Sequence, residues 1–165
     1  MRPAGVLSLV LLAAFPAFSA AQSYPTPVPA PKTTDAPTLR AFAAAREVHE
    51  RFRIGLENES AARWDAAIPE FERIIVLKPH EPQLSTAYYD VSIAYAHTRR
   101  LDDSAKALHH ALDLDPQFLA AFANLIAVEL ERNDIAAARV VADRFIAIAP
   151  DSARALYSRG LVALQ

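Results

Sequence analysis

The sequence predicts an all-α chain folded as a short array of helical hairpins, and two observations carry that prediction. The first is residues 85–116, which divide into two amphipathic halves. Tyr88, Val91 and Tyr95 fall on one helical stripe and Tyr89, Ile93 and Ala96 on another, while Ala105, Leu108, Ala111 and Leu112 give the following segment its own apolar face. The second is the placing of proline. Pro79, Pro116 and Pro150 each close an apolar helical run, at intervals of 37 and 34 residues. Proline cannot donate the i to i−4 bond and so stops a helix; stops at a near-constant interval mean that one hairpin plan is reused. With 53% hydrophobic residues, the 165-residue chain has enough apolar material for one domain plus an extension.

Taken in order, residues 1–21 read as a secretory signal: a positive charge at Arg2, an apolar run from Val6 to Phe15, a break at Pro16, and small side chains at Ser19 and Ala21. Cleavage is expected after Ala21, since the apolar run is shorter than the roughly 20 residues that span a bilayer; retention as an anchor is the alternative. Residues 22–37 carry Pro25, Pro27, Pro29, Pro31 and Pro37, a composition that favours extended polyproline over a packed core, and read as a linker. A domain is expected over 38–165. It opens with a long helix over 38–60, whose Leu39, Phe42, Val48, Phe52 and Leu56 recur near helical spacing, with Asp35 or Thr38 as its cap.

The next helix is expected over 64–77, with Ala67, Ile68, Phe71, Ile74 and Ile75 inside; Pro69 removes one backbone bond and should bend it or shift its start. Residues 78–82, with two prolines, read as a connection. In the 85–116 hairpin, Asp102 and Asp103 mark a new helix start, where carboxylates can accept from free N–H groups and complement the positive helix end. Helices over 117–132 and 135–149 follow, and 151–165 begins one more.

The chemistry that the composition excludes is as informative. The formal net charge is −2, with acids and bases interspersed, so no basic patch for nucleic acid or an anionic membrane is expected. No cysteine is present, hence no disulfide framework and no lipid-attachment thiol. Gly5, Gly55 and Gly160 are too scattered for a phosphate-cradling loop. His49-Glu50 begins like a zinc helix, but position 53 is Arg53; His109 and His110 are adjacent and point apart on a helix. No cofactor, metal or catalytic constellation is expected, and the chain reads as a binding module, not an enzyme.

Counted back from the helix-ending prolines, the repeats align. Their eighth position holds Gly55, Ser92, Ile126 and Gly160; the seventeenth Trp64, Leu101 and Ile135; the twentieth Ala67, Ser104 and Ala138; and the twenty-fourth Phe71, Leu108 and Ala142. This joint pattern over 48–165 resembles the tetratricopeptide repeat family, whose unit is a 34-residue helix-turn-helix. Ile126 departs from the family's small residue, Asn58 and Glu129 from its frequent tyrosine, and the interval of 37 from its length. The resemblance implies a right-handed α-solenoid of about three repeats, near 48–81, 85–118 and 119–152, with a lengthened N-terminal helix and a final unpaired helix over 153–165.

It also implies that function lies on the concave surface, lined by the first helix of each repeat. The residues so placed are Phe52 and Leu56; Tyr89, Ile93 and His97; Ala123, Asn124 and Ala127; and Tyr157 and Leu161. Most are apolar. Some family members grip a terminal carboxylate here, but only Arg53, Asn124 and Arg154 lie near the groove to do so. The expectation is therefore an apolar groove for a protein or peptide segment, in a periplasmic or secreted scaffold; packing against neighbouring repeats suits the same side chains equally. The last helix, with Leu156, Tyr157, Leu161, Val162 and Leu164, is apolar for a cap, and implies pairing with a partner or with a second copy as a homo-oligomer.

Overall fold

A computed structural model describes residues 28–165. The expected signal and the first part of the linker lie outside the described residues. Seven helices follow one another: α1 (Ala36–Ser60), α2 (Trp64–Leu77), α3 (Glu81–His97), α4 (Leu101–Leu114), α5 (Leu119–Glu131), α6 (Ile135–Ile148) and α7 (Ala153–Ala163). Each packs on the next, and α3 on α5 and α5 on α7 pack as well. That is an α-solenoid: antiparallel pairs stacked side by side, with α1, α3, α5 and α7 as the first helices of successive units. Among the described residues there is no strand, and no helix is long and apolar enough to cross a membrane.

Two helix starts lie upstream of where the sequence pattern puts them, for one reason. Asp35 caps α1, its Oδ2 accepting from the Thr38 N–H at 3.2 Å, so Pro37 falls within the first helical turn instead of the linker. Likewise α3 begins at Glu81 and takes in Pro82, which the sequence reads as a connection. A first-turn residue has no i−4 carbonyl to bond, so proline costs nothing there. The extra length of the second repeat is spent in this way: α3 has 17 residues against 13 for α5, so the insertion extends a helix and leaves the turns unchanged. Asp102 and Asp103 do lie in the first turn of α4, but Arg100 is the cap and makes no side-chain cap bond. The two carboxylates pair instead with arginines, Asp102 with Arg132 and Asp103 with Arg100, each at 2.9 Å.

The turn inside each repeat is one motif used three times. Arg63, Arg100 and Asp134 donate back to the carbonyls of Asn58, Tyr95 and Glu129 at 2.8–2.9 Å, and the preceding residue donates to the carbonyl three before it. These paired bonds close the helix end and need a left-handed residue, usually glycine. Here Ala62, Arg99 and Asn133 hold it, at φ of 54°, 64° and 61°. The sharp reversal lets each second helix fold straight back on its first.

Packing inside each repeat explains the departure at Ile126. Gly55 is buried against Phe71; a Cβ at Gly55 would stand 2.6 Å from the ring's Cε1. In the second repeat Ser92 is buried and its carbonyl accepts from Ser104 Oγ on the second helix at 2.8 Å, and Leu108 is fully buried as Phe71 is. In the third the sizes are exchanged: Ile126 is large, and the position filled by Phe71 and Leu108 is Ala142, both residues being buried in one cluster. Interiors conserve summed volume more strictly than identity. Two clusters result, one centred on Phe71, Ile74 and Val91 and the other on Leu108, Phe122 and Phe145, and Trp64 and Tyr88 pack against both.

Ion pairs and one side-chain hydrogen bond link neighbouring helices. Arg51–Glu70 at 2.8 Å and Arg73–Glu47 at 2.7 Å tie α1 to α2, and Tyr95 donates to Glu72 at 2.6 Å from α3 to α2. Arg99–Glu131 at 2.6 Å and Arg132–Asp102 at 2.9 Å join the second repeat to the third.

Candidate functional site

The first helices place the sequence-expected residues in three groups. Phe52, Tyr89, Ile93, Ala123 and Ala127 are buried; Leu56, Asn124 and Leu161 are half-buried; His97 and Tyr157 are exposed. The apolar groove expected around Tyr89 and Ile93 is thus not an open surface: Tyr89 is 6% and Ile93 8% exposed. The Tyr89 ring lies 4.8 Å from that of Phe118, in the turn before α5, so the adjoining repeat already covers the apolar area a peptide would need. His97 stacks on Trp64 with ring centroids 3.8 Å apart, which places it at a helix junction.

What the first helices bring together is polar. The Tyr89 hydroxyl is pushed up to about 12, by burial first and then by the negative charges of Asp90 and Glu59, while Arg154 and the Asn124 amide within hydrogen-bonding reach pull the other way. One hydroxyl therefore senses a group from each first helix: Glu59 on α1, Asp90 on its own α3, Asn124 on α5 and Arg154 on α7. In stacking order the array runs from acid through a neutral amide to base.

The acids at one end of that series are anomalous. Asp90 is 2% exposed, and its Oδ2 has no hydrogen-bond partner among the described residues; Glu59 is half-buried and its Oε2 is buried without a partner as well. Burial, with Glu59 nearby, pushes the Asp90 carboxyl well above the usual carboxylate range, and burial pushes Glu59 up to about 7. Removing a carboxylate from water without a counter-ion is costly, so such groups hold a proton or acquire a cation. Glu129, in the next repeat and equally buried, shows the ordinary solution: it accepts from Arg132 Nη1 at 2.6 Å. Among the described residues Asp90 Oδ2 has no such partner.

Sequence reasoning named Tyr89, Asn124 and Arg154 but passed over Glu59 and Asp90. The signal was present for Asp90. Helix α3 is buried almost all round, with Ser85, Ala87 and every residue from Tyr89 to Ala94 inside, and Asp90 is the charged residue in that run. A charge within a helix that has no polar face must be buried whichever way the helix is turned. Glu59 carried no such mark, because it closes a helix with a long polar face.

No protein-family model matches the sequence, and no characterised protein matches it at the sequence level. Solved structures do match. The second tetratricopeptide repeat domain of human RPAP3, in complex with an HSP70 peptide, is similar at 14% identity with a TM-score of 0.65, over 73% of this chain and 98% of that one. The first such domain of Spaghetti (RPAP3), bound to an HSP90 peptide, is similar at 13% identity and a TM-score of 0.64, over 72% and 92%. The TPR2B domain of yeast Sti1, in a complex with Hsp70, is similar at 17% identity and a TM-score of 0.62, over 72% and 94%. The chain therefore has the tetratricopeptide repeat fold, as the sequence pattern implied.

Proposed function

We propose that the chain is a scaffold whose concave face holds a segment of another protein, working in the periplasm or outside the cell. The observation that carries this reading is that one group from each first helix, Glu59, Asp90, Asn124 and Arg154, acts on the Tyr89 hydroxyl through charge or hydrogen bonding. A row of hydrogen-bonding groups spread over four stacked helices matches an extended chain better than a compact metabolite. The complexes of the RPAP3 and Spaghetti domains with HSP70 and HSP90 peptides support the reading, as uses to which this fold is put elsewhere. The compartment rests on the signal-like residues 1–21. Binding, not catalysis, is the activity proposed.

A photoreactive residue at Asn124, half-buried on the concave side, should capture a partner, while the same probe at the exposed Lys106 on α4 should not. Equal capture at the two positions defeats the reading. A second reading, self-association through α7, is favoured by its exposed apolar side chains: Leu156 is 47%, Tyr157 52% and Leu164 83% exposed. Leu156→Glu with Leu164→Glu should then convert an oligomer to a monomer in sedimentation without loss of helicity, and a wild-type chain that is already monomeric defeats this alternative.

A further inference from the structure

We infer that α7 pairs with α7 of a second copy, antiparallel across a two-fold axis, with Leu156 of each copy seated on Gly160 of the other. The inference rests on the self-association reading above and supplies its geometry. One side of α7 is already covered: Ala155, Ser158 and Val162, at i, i+3 and i+7, are buried where the helix packs on α5 and α6. The opposite side is open and holds no charged residue. Ala153, Leu156, Gly160, Ala163 and Leu164 share one helical stripe there and all are exposed, while Arg154 and Arg159 fall to either side of it. The repeats show what such a surface takes. In the first, Gly55 receives the Phe71 ring of an antiparallel helix; in the third, large Ile126 shares a buried cluster with small Ala142. Gly160 holds the same repeat position, and an added Cβ there would meet nothing within 4 Å. Glycine weakens a helix, and what it permits in return is close approach by another element.

The large side chain that the seat lacks is supplied by α7 itself. When two antiparallel copies of Ala153–Ala163 overlap end to end, Ala153 lies level with the partner's Ala163, and Leu156 with the partner's Gly160. Leu156 and Gly160 stand equally far from the helix midpoint at Ser158, so the register that overlaps the whole helix also sets large on small, twice. A stripe that fits its own reversal is what an isologous contact requires. The parallel arrangement would set Leu156 on Leu156 and Gly160 on Gly160, a bulge beside a void, which close packing disfavours. The helix has 11 residues and is about 16 Å long. Small interfaces are weak, so dissociation is expected on the order of 10 µM.

The test uses the whole chain, which has no cysteine of its own. Sedimentation at rising concentration should show monomer passing to dimer and no further, because a two-fold contact closes on itself. Gly160→Leu and Leu156→Ala should each weaken the dimer by at least about tenfold, the scale of one buried leucine. Both in one chain exchange the sizes, and should restore dissociation to within about threefold of the wild type. Gly160→Leu meets open space within its own copy, so helicity is kept. Oxidation should join an Ala153→Cys chain to an Ala163→Cys chain and leave either variant alone uncrosslinked, since the two positions are about 15 Å apart along one helix. Crosslinking within one variant alone, no recovery in the double variant, or growth beyond a dimer overturns this geometry and leaves self-association through α7 standing. A wild-type chain still monomeric at about 1 mM defeats the geometry and the self-association reading together. So does a chain that takes up another protein's helix on α7 in place of its own copy.

Discussion

Gly55→Ala and Gly160→Ala replace glycines at the same position of two repeats, and the structure predicts opposite outcomes. In an open helix interior, glycine to alanine stabilises by about 1 kcal/mol, through restriction of the unfolded backbone and better helix propensity. Gly160 has nothing within 4 Å of an added Cβ, so its substitution should show that gain in full. At Gly55 the same methyl would stand 2.6 Å from Phe71 Cε1 and 2.8 Å from Cζ. The ring has nowhere to withdraw: Phe71 is fully buried, and Phe52 packs against it with centroids 6.3 Å apart. Overpacking of this kind costs about 1–3 kcal/mol, enough to cancel the propensity gain and leave Gly55→Ala destabilising by about 1 kcal/mol. Urea unfolding followed by circular dichroism and by the fluorescence of Trp64, the chain's one tryptophan, measures both variants. Adding Phe71→Leu makes room, so in that background Gly55→Ala should become neutral or stabilising, a coupling on the order of 1–3 kcal/mol. Stabilisation by Gly55→Ala in the wild-type background, equal to that at Gly160, would refute the packing argument.

The remaining predictions concern buried charge. Glu59 has a folded pKa of about 7 against an ordinary 4.5, and Asp90 is shifted in the same direction, so the folded chain binds more protons than the unfolded one. Stability should therefore fall as pH rises from about 5 to 8, by on the order of 3 kcal/mol for Glu59 at about 1.4 kcal/mol per unit. Glu59→Gln should flatten that part of the profile of urea midpoints, and an unchanged slope would show that the carboxyl is not buried as described. Arg132→Met deprives the buried Glu129 of its counter-ion and also breaks the contact with Asp102. It should cost about 3–5 kcal/mol at neutral pH, and Glu129→Gln in the same chain should recover part of the loss. Asp90→Asn should cost little, since burial already disfavours the charged carboxyl and its Oδ2 has no hydrogen-bond partner among the described residues; a large loss would mean that the Asp90 carboxylate is paired in solution.

Much of the fold was legible because its signals are local. Trp64, Leu101 and Ile135 begin the second helix of each repeat as their spacing requires, and the helices before Pro79, Pro116 and Pro150 each end two residues ahead of the proline. The errors in helix bounds share a cause. Pro37 and Pro82 read as breakers, yet a proline breaks a helix only where its N–H would have had a carbonyl to meet, and at the first turn it has none. The left-handed turns at Ala62, Arg99 and Asn133 gave no glycine to read; the repeat of their backbone bonds, not their side chains, identifies them. Ile126 looked like a flaw in the pattern until Ala142 was seen to give up the volume it takes.

The site was less legible because burial belongs to assemblies of helices. Periodicity marks Tyr89 and Ile93 as apolar and places them on a first helix, but it says nothing of whether the next repeat covers them, and Phe118 does. The sequence by itself determined the helices, their pairing into hairpins and the repeat, since these follow from residue spacing within one or two turns of chain. Only the tertiary structure decided which side of the first helices is open, and that Glu59, Asp90, Asn124 and Arg154 act on one buried hydroxyl. Residues on α1 and α7 come within electrostatic reach of one side chain on α3 through the way the repeats stack, and no local spacing encodes that.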